Sequence, residues 1–174
     1  MSRERNIILT GFMGTGKSEV GKKLAIRLDR KFIDTDVLIE REAGTSISRL
    51  FADEGEAHFR TLEQQAIARA CLEDGVVIAT GGGAMVNEVN ARRLKASGTV
   101  ICLTAAPEVI LARVQGNLDR PLLQGRDPLT KIRALLTARA QAYPEADLTI
   151  DTSCLGVDDV VEAVHAALAK ELEI

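Results

Sequence analysis

The stretch LTGFMGTGKS, residues 9–18, decides how the rest of the chain is read. It follows the short apolar run NIIL (residues 6–9) and leads into SEVGKKLAIRLDR (residues 18–30), where Val20, Leu24 and Leu28 recur at helical spacing. Gly11, Gly16, Lys17 and Ser18 satisfy the pattern G-x-x-x-x-G-K-[ST]. Glycines let the backbone turn sharply and come close to a phosphate. Successive backbone N–H groups then point inward as an anion nest, and the helix starting near Lys17 adds the positive end of its dipole. The spacing predicts that Lys17 reaches the β- and γ-phosphates of a nucleotide and that the Ser18 hydroxyl faces Mg²⁺. A plain glycine turn between a strand and a helix would share some of these letters. At average residue usage, however, the full pattern arises by chance in about one chain of this length in a hundred or two. The loop points to a bound triphosphate and leaves the acceptor open.

The rest of the composition narrows the setting. With 174 residues the chain has the size of one domain. Hydrophobic residues make up 46% and charged residues 27%, the balance of a soluble globular protein. Lys+Arg is 22 and Asp+Glu is 25, a net charge of −3. A broad nucleic-acid surface usually carries a basic excess, so no nucleic acid is expected as a partner, while a local basic pocket for a small anion stays open. No stretch approaches the ~18 apolar residues of a membrane span, and MSRERNIILTG lacks the apolar run of a signal peptide, so no membrane partner is expected. Cys71, Cys102 and Cys154 are far apart and form no CxxC pair, which reads as buried, reduced thiols of a cytoplasmic protein rather than a zinc site.

Short apolar runs alternate with longer amphipathic ones. The candidate strands are NIILTG (6–11), KFIDTD (31–36), VVIATG (76–81), TVICLTA (99–105) and LTIDTS (148–153). FRTLEQQAIARACLED (59–74) sets Leu62, Ala66, Ile67, Ala70 and Cys71 on one helical stripe. VDDVVEAVHAALAKELEI (157–174) does the same with Val157, Val160, Val161, Val164, Leu168 and Leu172. Strands apolar throughout and separated by helices imply a parallel sheet covered on both faces, with ligands at the carboxyl ends of its strands. Residues 116–128, GNLDRPLLQGRDP, break the pattern with two glycines, two prolines and no periodicity, the signature of a lid.

A second group of residues lies at other strand ends. Asp34 and Asp36 close the second candidate strand, where residues i and i+2 share a face. One carboxylate there suits Mg²⁺ held through water, and the other suits an attacking hydroxyl. A pair of helix-capping aspartates would look the same. Gly81, Gly82 and Gly83 directly follow the third strand, as expected where a ligand lies against bare backbone, or in a loose turn. Arg60 sits between Phe59 and Leu62. His58 reads as a surface histidine, because His165 on the last helix is the chain's other one and no metal cluster can form from the two.

Taken together, GFMGTGKS, FIDTD, GEAHFRTLE, the triple glycine, RPLL and RAQAYPEAD resemble the shikimate kinase family in order and spacing, over essentially the whole chain. The resemblance implies a three-layer α/β/α P-loop kinase fold with a five-stranded parallel sheet, a lid loop near 116–128 and a helical substrate-binding segment near 37–62. It implies transfer of the γ-phosphoryl of ATP to the 3-hydroxyl of shikimate with Mg²⁺, in a cytoplasmic monomer. Carried over by position, Asp36 resembles the aspartate that positions or deprotonates the 3-hydroxyl, and Asp34 the one that holds Mg²⁺ through water beside Ser18. Arg60 and Arg139 resemble the clamp on the shikimate carboxylate, and Gly82 and Gly83 the backbone donors to the substrate. Arg120 resembles the lid arginine that reaches the transferring phosphate, so that Lys17, Asp36 and Arg120 form the catalytic set. The nucleotide is expected on Gly14, Thr15, Gly16, Lys17, Ser18 and Glu19, with Arg113 stacked on adenine. Ile47, Phe51, Phe59 and Pro121 would line the apolar side of the acceptor pocket. The bottom-up chemistry agrees: arginine grips carboxylates bidentately, and aspartate accepts from hydroxyls.

The sequence departs from the family twice. YPEAD (143–147) is one residue shorter than usual, with Pro144 after Tyr143, and DTSCLG (151–156) lacks the arginine that some members place near the adenine. Two other readings share the first loop. A gluconate kinase acts on another polyhydroxy acid, and a silent nucleotide-binding module would keep the fold without the chemistry. The full set of Lys17, Ser18, Asp34, Asp36 and Arg120 argues against the silent module.

Overall fold

The computed structural model describes residues 4–115, 127–141 and 146–172. Its central strand, β1 (Asn6–Gly11), is buried at all six positions. Such a strand needs partners on both edges and cover on both faces. It lies parallel to β3 (Val77–Ala79) on one side and β4 (Gly98–Thr104) on the other. β2 (Phe32–Asp34) extends the sheet beyond β3, and β5 (Leu148–Asp151) extends it beyond β4, giving the all-parallel order β2-β3-β1-β4-β5.

Alternation along the strands sorts the core into two layers. Ile7 and Leu9, with Val77, Ile101 and Leu103, face α1 (Lys17–Arg27) and α7 (Val157–Leu172), meeting Val20, Leu24, Val160 and Val164. Ile8, with Ile33, Ile78 and Val100, faces α3 (Ile47–Ala70) and α4 (Glu88–Ser97), meeting Ile67, Ala70, Ala91 and Leu94. Each fully buried branched side chain contributes about 1.5–3 kcal/mol. Two smaller clusters sit at the carboxyl edge of the sheet. Phe12 and Met13 pack on Ile110 and Val114 of α5 (Pro107–Val114) and on Ile132 of α6 (Pro128–Arg139). Ile39 of α2 (Thr35–Ala43) packs on Leu50, Phe59 and Ala66 of α3.

The structure corrects several expectations. The second strand stops at Asp34 instead of running through Asp36, because the Asp34 carboxylate caps the next helix. Its Oδ1 accepts from the backbone N–H of Asp36 at 3.0 Å and of Val37 at 3.3 Å. Asp36 is therefore in the first turn of α2, and a strand-to-helix turn, not a shared strand face, brings the two carboxylates together. The helix expected over 59–74 begins earlier, at Ile47, and ends at Ala70. Ser46 caps its start by accepting from the Arg49 N–H, and Gly55 breaks its interior at φ 82°, ψ 169°. Cys154, expected to be buried, is exposed in the turn after β5; Cys102 on β4 is buried and Cys71 is half-buried, and all three are free. Burial pushes the Cys102 thiol up to about 11, against a small opposing pull from Lys17. The expected lid falls largely outside the described residues, Arg120 and Pro121 included, and so do Tyr143 and Pro144; Asp127 caps α6 and Pro128 opens it. Among the described residues, no helix is long and apolar enough to cross a membrane.

Candidate active site

The carboxyl ends of β1, β2 and β3 open onto one cleft. Its floor is the loop after β1. Gly11 has φ 129°, and a Cβ there would lie 2.1 Å from the Leu103 carbonyl oxygen, so only glycine fits against β4. Gly16, at φ 93°, is the N-cap of α1 and provides no side-chain cap, which leaves the first helical N–H groups for an anion. Lys17 is 9% exposed. Its Nζ donates to the Phe12 carbonyl at 2.8 Å, and Thr15 Oγ1 donates to the same oxygen at 2.8 Å. Ser18 Oγ donates to Asp34 Oδ2 at 2.6 Å. Asp34 thus caps α2 with one oxygen and faces the loop with the other. A hydroxyl and a carboxylate side by side form a hard oxygen donor pair, the chemistry that suits Mg²⁺ with part of its hydration shell. A cavity of about 190 Å³ lies between Gly14, Gly16, Lys17, Ser18, Asp34 and Asp36, with Glu19 at its edge.

Next to it lies a larger cavity of about 370 Å³, with an apolar wall of Ile47, Phe51 and Phe59 and a polar one that includes Asp36, Arg60, Glu63 and Arg139. Met13, Ser18, Asp34, Asp36 and Gly82 line both cavities, so the two halves of the cleft share a wall. The Phe51 and Phe59 rings pack at 4.8 Å. Arg60 extends over the Phe59 ring at 5.2 Å and donates to Glu63 Oε2 at 2.9 Å and Glu56 Oε1 at 3.1 Å. Arg139 is the last residue of α6 and is 8% exposed; it lies over the Phe12 ring at 5.4 Å and donates to the Gly82 carbonyl at 3.0 Å. Two guanidinium groups therefore face one pocket on rigid supports. Burial works against the Arg60 charge, but Glu63 and then Glu56 hold its pKa above the ordinary arginine value.

The triple glycine is explained by space. A Cβ at position 81 would lie 2.7 Å from Glu63 Oε1 and 2.9 Å from Asp36 Oδ1. At position 82 it would lie 3.1 Å from the Met13 nitrogen, and at position 83 it would lie 2.9 Å from Arg60 Nη1. None of the three has the positive φ that would otherwise demand glycine. The loop is bare so that two carboxylates and a guanidinium can approach it.

The structure brings Lys17, Ser18, Asp34, Asp36, Arg60, Gly82, Gly83 and Arg139 to this cleft, as the sequence predicts. Arg113 sits beside the phosphate loop, donating to the Gly14 carbonyl at 3.3 Å, to Thr152 Oγ1 at 2.9 Å and to the Thr152 carbonyl at 2.7 Å. Arg120 lies outside the described residues. His58 is on the surface, 3.0 Å from Glu54.

Sequence reasoning missed Glu63, which is 1% exposed. Burial pushes its carboxyl up, and Arg60 and then Arg139 pull it back. Its Oε1 has no hydrogen-bond partner among the described residues. The available signal was the i, i+3 spacing from Arg60 inside GEAHFRTLE. Met13, on the shared wall, carried no signal beyond its place in the loop.

Comparison with known proteins agrees with this geometry. A family model described as "Shikimate kinase" matches residues 13–169. A shikimate kinase from Caldanaerobacter subterraneus subsp. tengcongensis is 48% identical over 166 residues, 95% of this chain and 97% of its own. One from Geobacter sulfurreducens is 49% identical over 160 residues, 92% of this chain and 88% of its own. The solved structure of shikimate kinase from Acinetobacter baumannii in complex with shikimate superposes with a TM-score of 0.93 at 37% identity, covering 97% of this chain and 94% of that one. A family model over most of the chain and relatives of nearly one-half identity together show that the chain belongs to the shikimate kinase family.

Proposed function

We propose that this chain transfers the γ-phosphoryl group of ATP to the 3-hydroxyl of shikimate, giving shikimate 3-phosphate and ADP. The observation that carries the reading is the shared wall, where Asp36 borders both the phosphate cradle and a pocket faced by two arginines. Shikimate is an anion with vicinal hydroxyls, and the pocket offers one group for each part. Arg60 and Arg139 grip the carboxylate, the backbone at Gly82 and Gly83 meets the ring substituents, and Asp36 accepts a hydrogen bond from the 3-hydroxyl. The relative solved with shikimate bound supports this assignment.

In the reaction the 3-hydroxyl oxygen bonds to the γ-phosphorus, the bridging bond to ADP breaks, and the hydroxyl proton passes to Asp36. Lys17 leaves the Phe12 carbonyl for the phosphate oxygens, and the loop N–H groups hold the remaining charge. Ser18 and Asp34 would hold Mg²⁺, whose positive charge offsets the phosphates when bound. Gly14, Thr15 and Gly16 cradle the nucleotide's phosphates with Glu19 at the rim, and Arg113 lies where adenine stacks. Arg120 would add a cation at the transferring group, and the segment over 37–62 carries the acceptor side. A monomer is part of the proposal. So is a cytoplasmic location, which suits three free thiols.

ADP release with MgATP tests the reading directly. Shikimate should stimulate it and gluconate should not. Stimulation by gluconate alone would replace the acceptor, and release indifferent to both acids would leave a nucleotide hydrolase.

A further inference from the structure

Thr152 lies one residue beyond β5 and is 1% exposed. Its backbone is fixed to the sheet, since its N–H donates to the Thr104 carbonyl at 2.8 Å. Its hydroxyl has more partners than one structural bond needs. Its one proton is shared between the Thr104 carbonyl at 2.9 Å, the nearer acceptor, and the Thr15 carbonyl at 3.4 Å, while the oxygen accepts from Arg113 Nη1 at 2.9 Å. The same Arg113 nitrogen also reaches the Gly14 carbonyl at 3.3 Å. Two consecutive carbonyls of the phosphate loop are thus tied to the end of β5 by one hydroxyl and one guanidinium.

This matters because the peptide unit is planar and trans, so a carbonyl and the N–H of the next residue point in opposite directions. Fixing the Gly14 carbonyl aims the Thr15 N–H, and fixing the Thr15 carbonyl aims the Gly16 N–H. Gly14 and Gly16, at φ 75° and 93°, give this loop the freedom to rotate those peptide units. An anion nest needs them held with N–H inward.

We propose that Thr152 is a positioning residue for the donor site, its buried hydroxyl acting with Arg113 to hold the Gly14 and Thr15 carbonyls away from the phosphate cradle. The proposal rests on the reading of residues 11–18 as the nucleotide's phosphate site. It acts on the phosphates rather than on the base, because Arg113 keeps its bond to the Thr152 backbone carbonyl at 2.7 Å whatever the side chain at 152.

The test compares Thr152→Val, which keeps the shape, with Thr152→Ser, which keeps the hydroxyl. The probes are MgADP and inorganic tripolyphosphate by calorimetry, with KM for ATP and for shikimate alongside. Thr152→Val should weaken both ligands by about tenfold and raise the ATP KM similarly, leaving the shikimate KM within about twofold, and Thr152→Ser should restore all three. Unchanged tripolyphosphate affinity in Thr152→Val, or equal loss in Thr152→Ser, would overturn the proposal. An unchanged shikimate KM also shows that the valine variant is folded, whereas parallel loss of shikimate binding would make Thr152 merely structural. Lys17→Met separates the two levels: if it is impaired while Thr152→Val is not, the phosphate site stands and the brace falls. If Lys17→Met leaves polyphosphate affinity intact, the phosphate-site reading fails and the brace with it.

Discussion

Glu63 is a buried carboxylate between two arginines, and its position makes a prediction about pH. Burial raises its pKa above the ordinary value of 4.5, and the arginines recover only part of the shift. The folded state therefore holds the proton more tightly than the unfolded one. The stability contributed by this group is present below the unfolded pKa and is lost as pH rises through the raised folded value. Measured by denaturant unfolding from about pH 4 to pH 7, the stability of wild type relative to Glu63→Gln should fall as pH rises. A flat difference would show that Arg60 and Arg139 fully offset burial. The sequence displayed the donor side of this site more clearly than its supports. Lys17 and Ser18 occupy fixed places in a contiguous pattern, and Asp34 and Asp36 stand out in FIDTD. Glu63 and Thr152 act through other residues: the one local mark of Glu63 was its i, i+3 spacing from Arg60, which many solvated helical pairs share, and Thr152 looked like an ordinary strand-end threonine.

The break in α3 separates the stretch that carries Ile47 and Phe51 from the stretch that carries Phe59, Arg60 and Glu63. Gly55 holds it at φ 82°, ψ 169°, a region essentially reserved for glycine, with open space where a Cβ would go. The cost of a side chain there is conformational rather than steric. Gly55→Ala should lower stability by about 1–3 kcal/mol in a thermal or denaturant melt, and raise the shikimate KM while leaving the ATP KM unchanged. A rise in both would place the hinge's influence on the donor side as well. At the other end of the pocket, α6 delivers Arg139 to the Gly82 carbonyl and the Phe12 ring. Arg139→Leu should raise the shikimate KM by about tenfold or more, and an unchanged KM would remove it from the clamp. All five strands were legible, since a parallel sheet buried on both faces demands continuous apolar runs. α2 was hidden because its N-cap, Asp34, also completes the apolar strand, and the three-residue runs at Phe32–Asp34 and Val77–Ala79 are shorter than their sequence signals. The apolar periodicity of α6 is weak, and the clearest marks of α4, α5 and α6 lie at their starts, where Asn87 and Asp127 cap α4 and α6 and Pro107 opens α5.

Across the whole molecule, the parallel sheet collects at one edge residues that are distant in sequence. Phe12 to Ser18 come from the loop after β1 and the start of α1, Asp34 and Asp36 from β2 and α2, Gly82 from the turn after β3, and Arg139 from the end of α6. The fold was legible because apolar runs, glycine loop and helical stripes all implied the same architecture. The shared wall was not, because it exists only once three segments meet, the loop after β1, the β2–α2 junction and the turn after β3. It assigns the donor to one side and the acceptor to the other, with Asp36 between them. Steady-state kinetics and ligand affinities of Asp36→Asn test that division most directly. The account predicts a kcat about 10²–10⁴-fold below wild type, with MgADP and shikimate still binding within about threefold of wild-type affinity. Loss of both affinities in parallel with kcat would contradict it, showing that Asp36 maintains the site rather than acting on the hydroxyl.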